Sequence, residues 1–179
     1  MRIAPPPATD DYGFYNSYIS KAPDTDLITA LTRNWSELKA FVNTLSEAQL
    51  LIRYAPDKWN IKEVLVHLID AERNFCYRIM RISRGDQTQV PVIDVDQFVK
   101  NSHATERDIN SIMEELAVIR QGTTALFGGM HPSMIDQTGP ARDVTISVRA
   151  LGFAIVGHVM HHTEIIKERY LAQVVSESQ

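Results

Sequence analysis

The chain has 179 residues, 44% hydrophobic and 22% charged, with a formal net charge of −4, the balance of an ordinary globular protein long enough to bury a substantial core. A net negative charge with no basic block excludes a polyanion as the expected partner, so no nucleic acid is looked for. No apolar run reaches the length of a membrane span, and Met1-Arg2-Ile3-Ala4-Pro5-Pro6-Pro7 lacks the apolar core of a signal peptide, so a cytoplasmic protein is expected.

Residues 1–24 form an arm, first Pro-rich and then aromatic at Tyr12, Phe14, Tyr15 and Tyr18. Disordered segments are poor in aromatics, so the arm is expected to lie across the core or to cover a cavity mouth. A first helix is predicted over about 25–45, where Ile28, Leu31, Trp35, Leu38, Val42 and Leu45 recur three and four apart. Asp24, Thr25 and Asp26 supply its cap and first-turn negative charge. A second, over about 60–84, opens on Asn60-Ile61-Lys62-Glu63, the pattern of a capping box, and carries Val64, Leu65, Leu68, Phe75, Ile79 and Ile82 on its buried stripe. Cys76 lies mid-helix in apolar surroundings; as the lone cysteine it excludes an intramolecular disulfide and reads as a buried, inert thiol.

Residues 85–104 show no sustained period. A loop of that length is unusual within a compact domain, and in a helical bundle it can act as a crossover between parallel helices. A third helix, about 105–128, repeats the seam at Ile109, Ile112, Leu116, Ile119, Thr123 and Leu126 and ends at Gly128-Gly129. The fourth, about 145–171, turns Val148, Leu151, Gly152, Ile155, Val159, Ile166 and Tyr170 inward, and Val174 to Gln179 read as a frayed tail. Four amphipathic helices and no convincing strand give an all-α bundle in one domain, 1–179.

Three of the six histidines fall within Gly157-His158-Val159-Met160-His161-His162. Residues four apart share a helix face, so His158 and His162 can aim two imidazoles at one point. His161 lies away from the apolar stripe and either faces solvent or lines the site as a catalytic acid or base. A metal needs another ligand, and the best third residue is His67, on the flank of the second helix's buried stripe. Neutral imidazole suits zinc, nickel, copper and iron. Three imidazoles leave coordination positions open, as in catalytic rather than structural zinc sites. The alternative for each of the three is a hydrogen-bonded core histidine. His103 and His131 lie in or beside loops and read as surface residues. Valine after His158 excludes the zincin signature, and neither a Gly-rich phosphate loop nor a nucleophile elbow is present. Asp70, Glu72 and Glu164 stand near these histidines in sequence and are candidate acceptors for imidazole N–H groups; the alternative is that they are exposed helix carboxylates.

The run Lys58-Trp59-Asn60-Ile61-Lys62-Glu63-Val64-Leu65-Val66-His67-Leu68-Ile69-Asp70-Ala71-Glu72-Arg73 resembles the second-helix motif of the DinB-like metalloprotein superfamily. Gly157-His158-Val159-Met160-His161-His162, followed by Ile165-Ile166 and Glu168-Arg169-Tyr170, resembles its last-helix motif. The resemblance spans about 25 to 171 in the correct order. It implies a four-helix bundle with up-down-down-up connectivity, crossing over through 85–104. It also implies a homodimer, and a divalent metal, zinc or nickel, held by the residues matching His67, His158 and His162 beneath an open pocket. The implied activity is a thiol-dependent S-transferase using a low-molecular-weight thiol, or a metal-dependent hydrolase, acting on a small molecule. The rival reading is a non-catalytic metal- or small-ligand-binding module linked to stress response.

Overall fold

In the computed structural model, residues 2–172 are described, and the tail expected to fray, Val174 to Gln179, lies outside the described residues. The arm is anchored at its start: Ile3 is buried, its amide donates to Asp26 Oδ1 at 2.8 Å, and its carbonyl accepts from the Leu27 amide at 2.9 Å. The arm ends in one helical turn, α1 (Asn16–Ile19). The first long helix, α2 (Leu27–Val42), starts at Asp26, whose carboxylate caps the Thr29 amide. After the short α3 (Glu47–Leu50), α4 (Ile61–Ser83) opens with the anticipated capping box. The Glu63 amide donates to Asn60 Oδ1 at 2.9 Å, and the Asn60 amide donates to Glu63 Oε2 at 2.8 Å.

The crossover holds a helix of its own, α5 (Val95–Asn101), capped by Asp94. With seven residues and a single buried one, Val99, it is too short to print a period on the sequence. α6 (Ile109–Gly128) follows, capped by Asp108. Next comes an antiparallel hairpin, β1 (Thr138–Ala141) and β2 (Val144–Ser147), with Gly139 opposite Ile146. This corrects the expectation of a chain without strands. Gly139 and Pro140 disguise β1, since both residues weaken strand patterns, and each strand is only four residues long. A lone hairpin is marginal in water; this one packs on α4, where a Cβ at Gly139 would lie 2.7 Å from Ile82 Cγ1. Strand β2 runs directly into α7 (Val148–Ile165), with Ser147 as the cap, and α7 continues as a π-helical turn through Ile166–Leu171.

Side-chain partners fix the helix directions. α4 and α6 run parallel, because Lys62 reaches the Arg107 carbonyl while Glu72 reaches Arg120 and Cys76 reaches Thr123. α4 and α7 are antiparallel, since His67 near the start of α4 meets His158 in the second half of α7. α2 packs between α6 and α7, touching neither end of α4 extensively. The bundle is therefore up-down-down-up, with the segment between α4 and α6 as the crossover.

Two apolar clusters fill the bundle. One gathers Leu27, Leu31, Ile79, Phe127 and Leu151; the other gathers Leu38, Val42, Leu65, Ile112 and Val159. Between them, near the middle of α2, α4 and α6, lies a polar layer. Arg120 donates Nε and Nη2 to the two carboxylate oxygens of Glu72, both at 2.8 Å, and Nη1 to Leu31 O and Asn34 Oδ1 at 2.9 and 3.0 Å. Thr123 Oγ1 donates to Glu72 Oε1 at 2.6 Å. His158 lies at a similar height on α7, between Val156 of the first cluster and Val159 of the second. No helix among the described residues is long and apolar enough to cross a membrane.

Candidate metal centre

The helices bring His67, His158 and His162 together, with one potential ligand atom from each lying within 4.8 Å of the others. The Nε2 of His158 is 3.2 Å from that of His67 and 3.1 Å from that of His162. Helical periodicity supplies the second pair, because His158 and His162 are one turn apart on α7. Antiparallel packing of α4 on α7 supplies the first.

Burial keeps all three rings neutral. It pushes His67 down to about 4, with partial opposition from Asp96, and His162 down to about 3, helped by His67 and His161. His158 is pushed well below its ordinary value, first by burial and then by repulsion from His162, His67 and His161. A neutral imidazole carries one N–H and one lone pair, so the nitrogen at the centre of this trio cannot satisfy both neighbours with a single hydrogen bond. A cation would take all three lone pairs at once. Two metal–nitrogen bonds of about 2.0–2.1 Å at a tetrahedral angle place their nitrogens about 3.3 Å apart, close to the two short separations here. The donor set and its two short separations fit a divalent ion.

Aromatic rings fix the imidazoles from behind. Trp59 lies 4.9 Å from His67 between centroids, and Tyr18 meets His158 edge-on at 4.9 Å. Tyr18 reaches this position because residue 157 is glycine: a Cβ there would stand 1.8 Å from the Tyr18 carbonyl oxygen. The aromatic arm thus forms one wall of the site, on the side of α7.

The three histidines line a cavity of about 310 Å³ together with Phe14, Tyr15, Phe75, Asn74, Arg78 and Arg142 among others, and none of the lining residues among the described ones is acidic. A hollow of about 490 Å³ on the other side of Trp59 and His162 carries Asp57, Lys58 and Asp96, but includes only one of the three histidines.

His161 stands outside the cavity lining. It is partly buried, with its ring 5.5 Å from Tyr18 and 5.2 Å from His162, and burial followed by the Lys21 charge lowers its pKa. The three carboxylates picked out as imidazole acceptors have other partners, and none accepts a hydrogen bond from a histidine ring among the described residues. Asp70 faces Arg73 at 3.5 Å, Glu164 is paired with Lys21, and Glu72 is buried in the Arg120 cluster. Nearness in sequence misled here: Asp70, three residues from His67, is drawn to Arg73, and Glu72, five residues on, is turned to Arg120 of α6. Sequence reasoning passed over Asn74 and Arg78, although both lie on the His67 face of α4, seven and eleven residues along. It also missed Arg142, for which a hairpin turn gives no local signal.

Cys76 is set apart from this chemistry. Burial pushes its thiol up to about 11, and its sulfur lies 3.1 Å from Thr123 Oγ1. Iodoacetamide at neutral pH should therefore leave the native protein unlabelled by mass and label it after unfolding in urea. Equal labelling rates in the two states would contradict this placement.

A family model for the DinB superfamily matches residues 30–166. No curated protein sequence matches the chain. Among solved structures, YfiT from Bacillus subtilis, described as a probable metal-dependent hydrolase with an unusual four-helix bundle topology, aligns with a TM-score of 0.75 at 18% identity, covering 94% of this chain and 92% of that one. At that identity the likeness speaks for the fold. The family match extends over most of the chain, from the first turn of α2 to the end of α7, and on that ground the chain belongs to the DinB superfamily.

Proposed function

We propose that the protein is a metal-dependent enzyme acting on a small molecule, with His67, His158 and His162 as the ligands of a divalent zinc or nickel ion. The observation that carries this reading is the convergence of three neutral imidazole nitrogens on an open, aromatic-lined cavity. When bound, such an ion supplies Lewis acidity, lowering the pKa of a thiol or water and polarising an acceptor.

The chain's own residues define what reacts. Trp59 and Tyr18 pack against the imidazoles of His67 and His158. Among the described residues the cavity lining holds no carboxylate, Asp96 lying in the adjoining hollow, which favours a nucleophile that ionises readily. A low-molecular-weight thiol meets that requirement: its proton passes to bulk water, the thiolate sulfur bonds to an electrophilic carbon, and the leaving group departs with the electron pair of the bond that breaks. Thiol-dependent S-transfer is therefore the preferred reaction. Hydrolysis is the second reading, supported by the description of the YfiT neighbour.

Elemental mass spectrometry on untagged wild type and His158→Ala tests the metal. About one ion per chain in wild type, lost in the variant, is the expected result. Absence of metal from both after incubation with zinc and nickel salts would overturn the proposal and leave a ligand-binding module. Turnover of an electrophile panel that requires added thiol supports transfer; ester or amide cleavage that ignores thiol selects the hydrolase.

A further inference from the structure

Arg78 is a buried cation with no counter-ion among the described residues. It is 5% exposed, yet it makes no ion pair among the described residues. Its Nε donates to Asn74 Oδ1 at 2.9 Å and its Nη2 to the Pro91 carbonyl at 3.4 Å, while Nη1 has no hydrogen-bond partner. The other buried arginine, Arg120, is fully matched by the Glu72 carboxylate. Burying an unpaired guanidinium is unfavourable, so the missing charge has to come from somewhere.

The cavity supplies the place. Arg78 lines the same hollow as the three histidines, and so does Arg142 at the hairpin turn. Arg78 follows His67 by eleven residues, which on an α-helix is about 20° of rotation and about 16 Å of rise. It is therefore on the same face, about three turns along, and its contact with Asn74 shows the side chain leaning back toward His67. Arg142 is exposed, sits over the Phe14 ring at 4.6 Å, and holds an unusual positive φ of 57°. Residues other than glycine adopt that conformation at a cost and often at functional sites. Burial raises the pKa of the Tyr15 hydroxyl, and the charges of both arginines partly oppose that rise, so both lie within electrostatic reach of it, as does Asp143.

We infer that this end of the cavity is an anion subsite, and that the substrate or co-substrate is a small molecule with an apolar or aromatic body and a carboxylate or phosphate group held by Arg78 and Arg142. The inference rests on the enzymatic reading in one respect: the reacting end of the molecule is taken to face the histidines. The rings of Phe14, Tyr15 and Phe75 suit the body, and the planar guanidinium fork suits a two-oxygen headgroup.

The probes are 4-phenylbutanoate, phenethylphosphonate and the neutral 4-phenylbutanamide, titrated calorimetrically into chelator-treated protein. Both anions are expected to bind wild type about tenfold or more tightly than the amide, and their ranking names the headgroup. Arg78→Met, which keeps the stem's bulk and removes an unsatisfied donor, should abolish the preference; Arg78→Lys should keep part of it. Arg142→Met, at an exposed position that does not threaten the fold, should weaken it. Equal affinities for acid and amide, no binding of any probe at millimolar concentration, or a preference that survives in Arg78→Met/Arg142→Met would each overturn the inference. Because the subsite lies away from the imidazoles, the preference should persist in His158→Ala. A failed metal assay and a failed anion assay are thus separate results.

Discussion

Arg120→Met is expected to lower the unfolding free energy by about 3–5 kcal/mol, read as a shift of the urea midpoint at constant slope. The guanidinium is 4% exposed and its partner carboxylate 3%, so removal leaves Glu72 ionised or protonated inside the bundle with Thr123 as its remaining hydrogen-bond partner. Two further acceptors, Leu31 O and Asn34 Oδ1, lose their donor as well. The arginine joins α2, α4 and α6 at once, and three helices therefore feel the change. The double variant Arg120→Met/Glu72→Met distinguishes pairing from packing: with both charges gone, much of the loss should be recovered, since well-packed apolar replacements of buried pairs are often neutral. A single variant within about 0.5 kcal/mol of wild type would mean that the pair is solvated and the polar layer is not sealed.

Gly157→Ala should displace the arm. Two effects of opposite sign compete. Alanine is worth about 1 kcal/mol over glycine inside a helix, which alone would stabilise α7. Against this, its Cβ would sit 1.8 Å from the Tyr18 carbonyl oxygen and 2.5 Å from the carbonyl carbon, backbone atoms that no rotamer change can move. Overpacking costs about 1–3 kcal/mol where side chains yield, and a backbone clash lies at or beyond the upper end. The clash wins, so α1 must lift and Tyr18 must leave His158. The expected signature is a net loss of about 2 kcal/mol, with faster amide exchange in α1 while the centre of α7 stays protected. Stability raised by about 1 kcal/mol with unchanged exchange in α1 would show that the arm does not depend on this close approach.

The long helices were legible because each carries an apolar repeat of three and four and a side chain that caps its start. Asn60 with Glu63 and Asp26 act as that pattern anticipates. His158 and His162 were legible for the same reason, since one turn of helix dictates their shared face. His67 is different. Its place in the trio depends on how α4 packs against α7, 91 residues away in sequence, and only its position beside the buried stripe hinted at it. The carboxylates were misread because pairing across helices follows tertiary neighbours: Glu72 meets Arg120 at a separation of 48 residues. The hairpin escaped because strands of four residues, one holding Gly139 and Pro140, carry no alternation to detect. Arg142 escaped with it, its place on the cavity wall being set by where the turn falls.

The seat of Tyr18 against Gly157 also has a bearing on how the chain is made. Those residues are 139 positions apart, so the arm leaves the ribosome long before the helix it docks on exists. At about 5–20 residues per second, the interval is on the order of ten seconds. During that time Tyr18 has no α7 to pack on, and α2, α4 and α6 can associate only as an open three-helix intermediate. The wall of the cavity is therefore the last part to close in biogenesis, and the nascent chain passes through a period in which its aromatic arm is available to a chaperone or to a neighbouring copy.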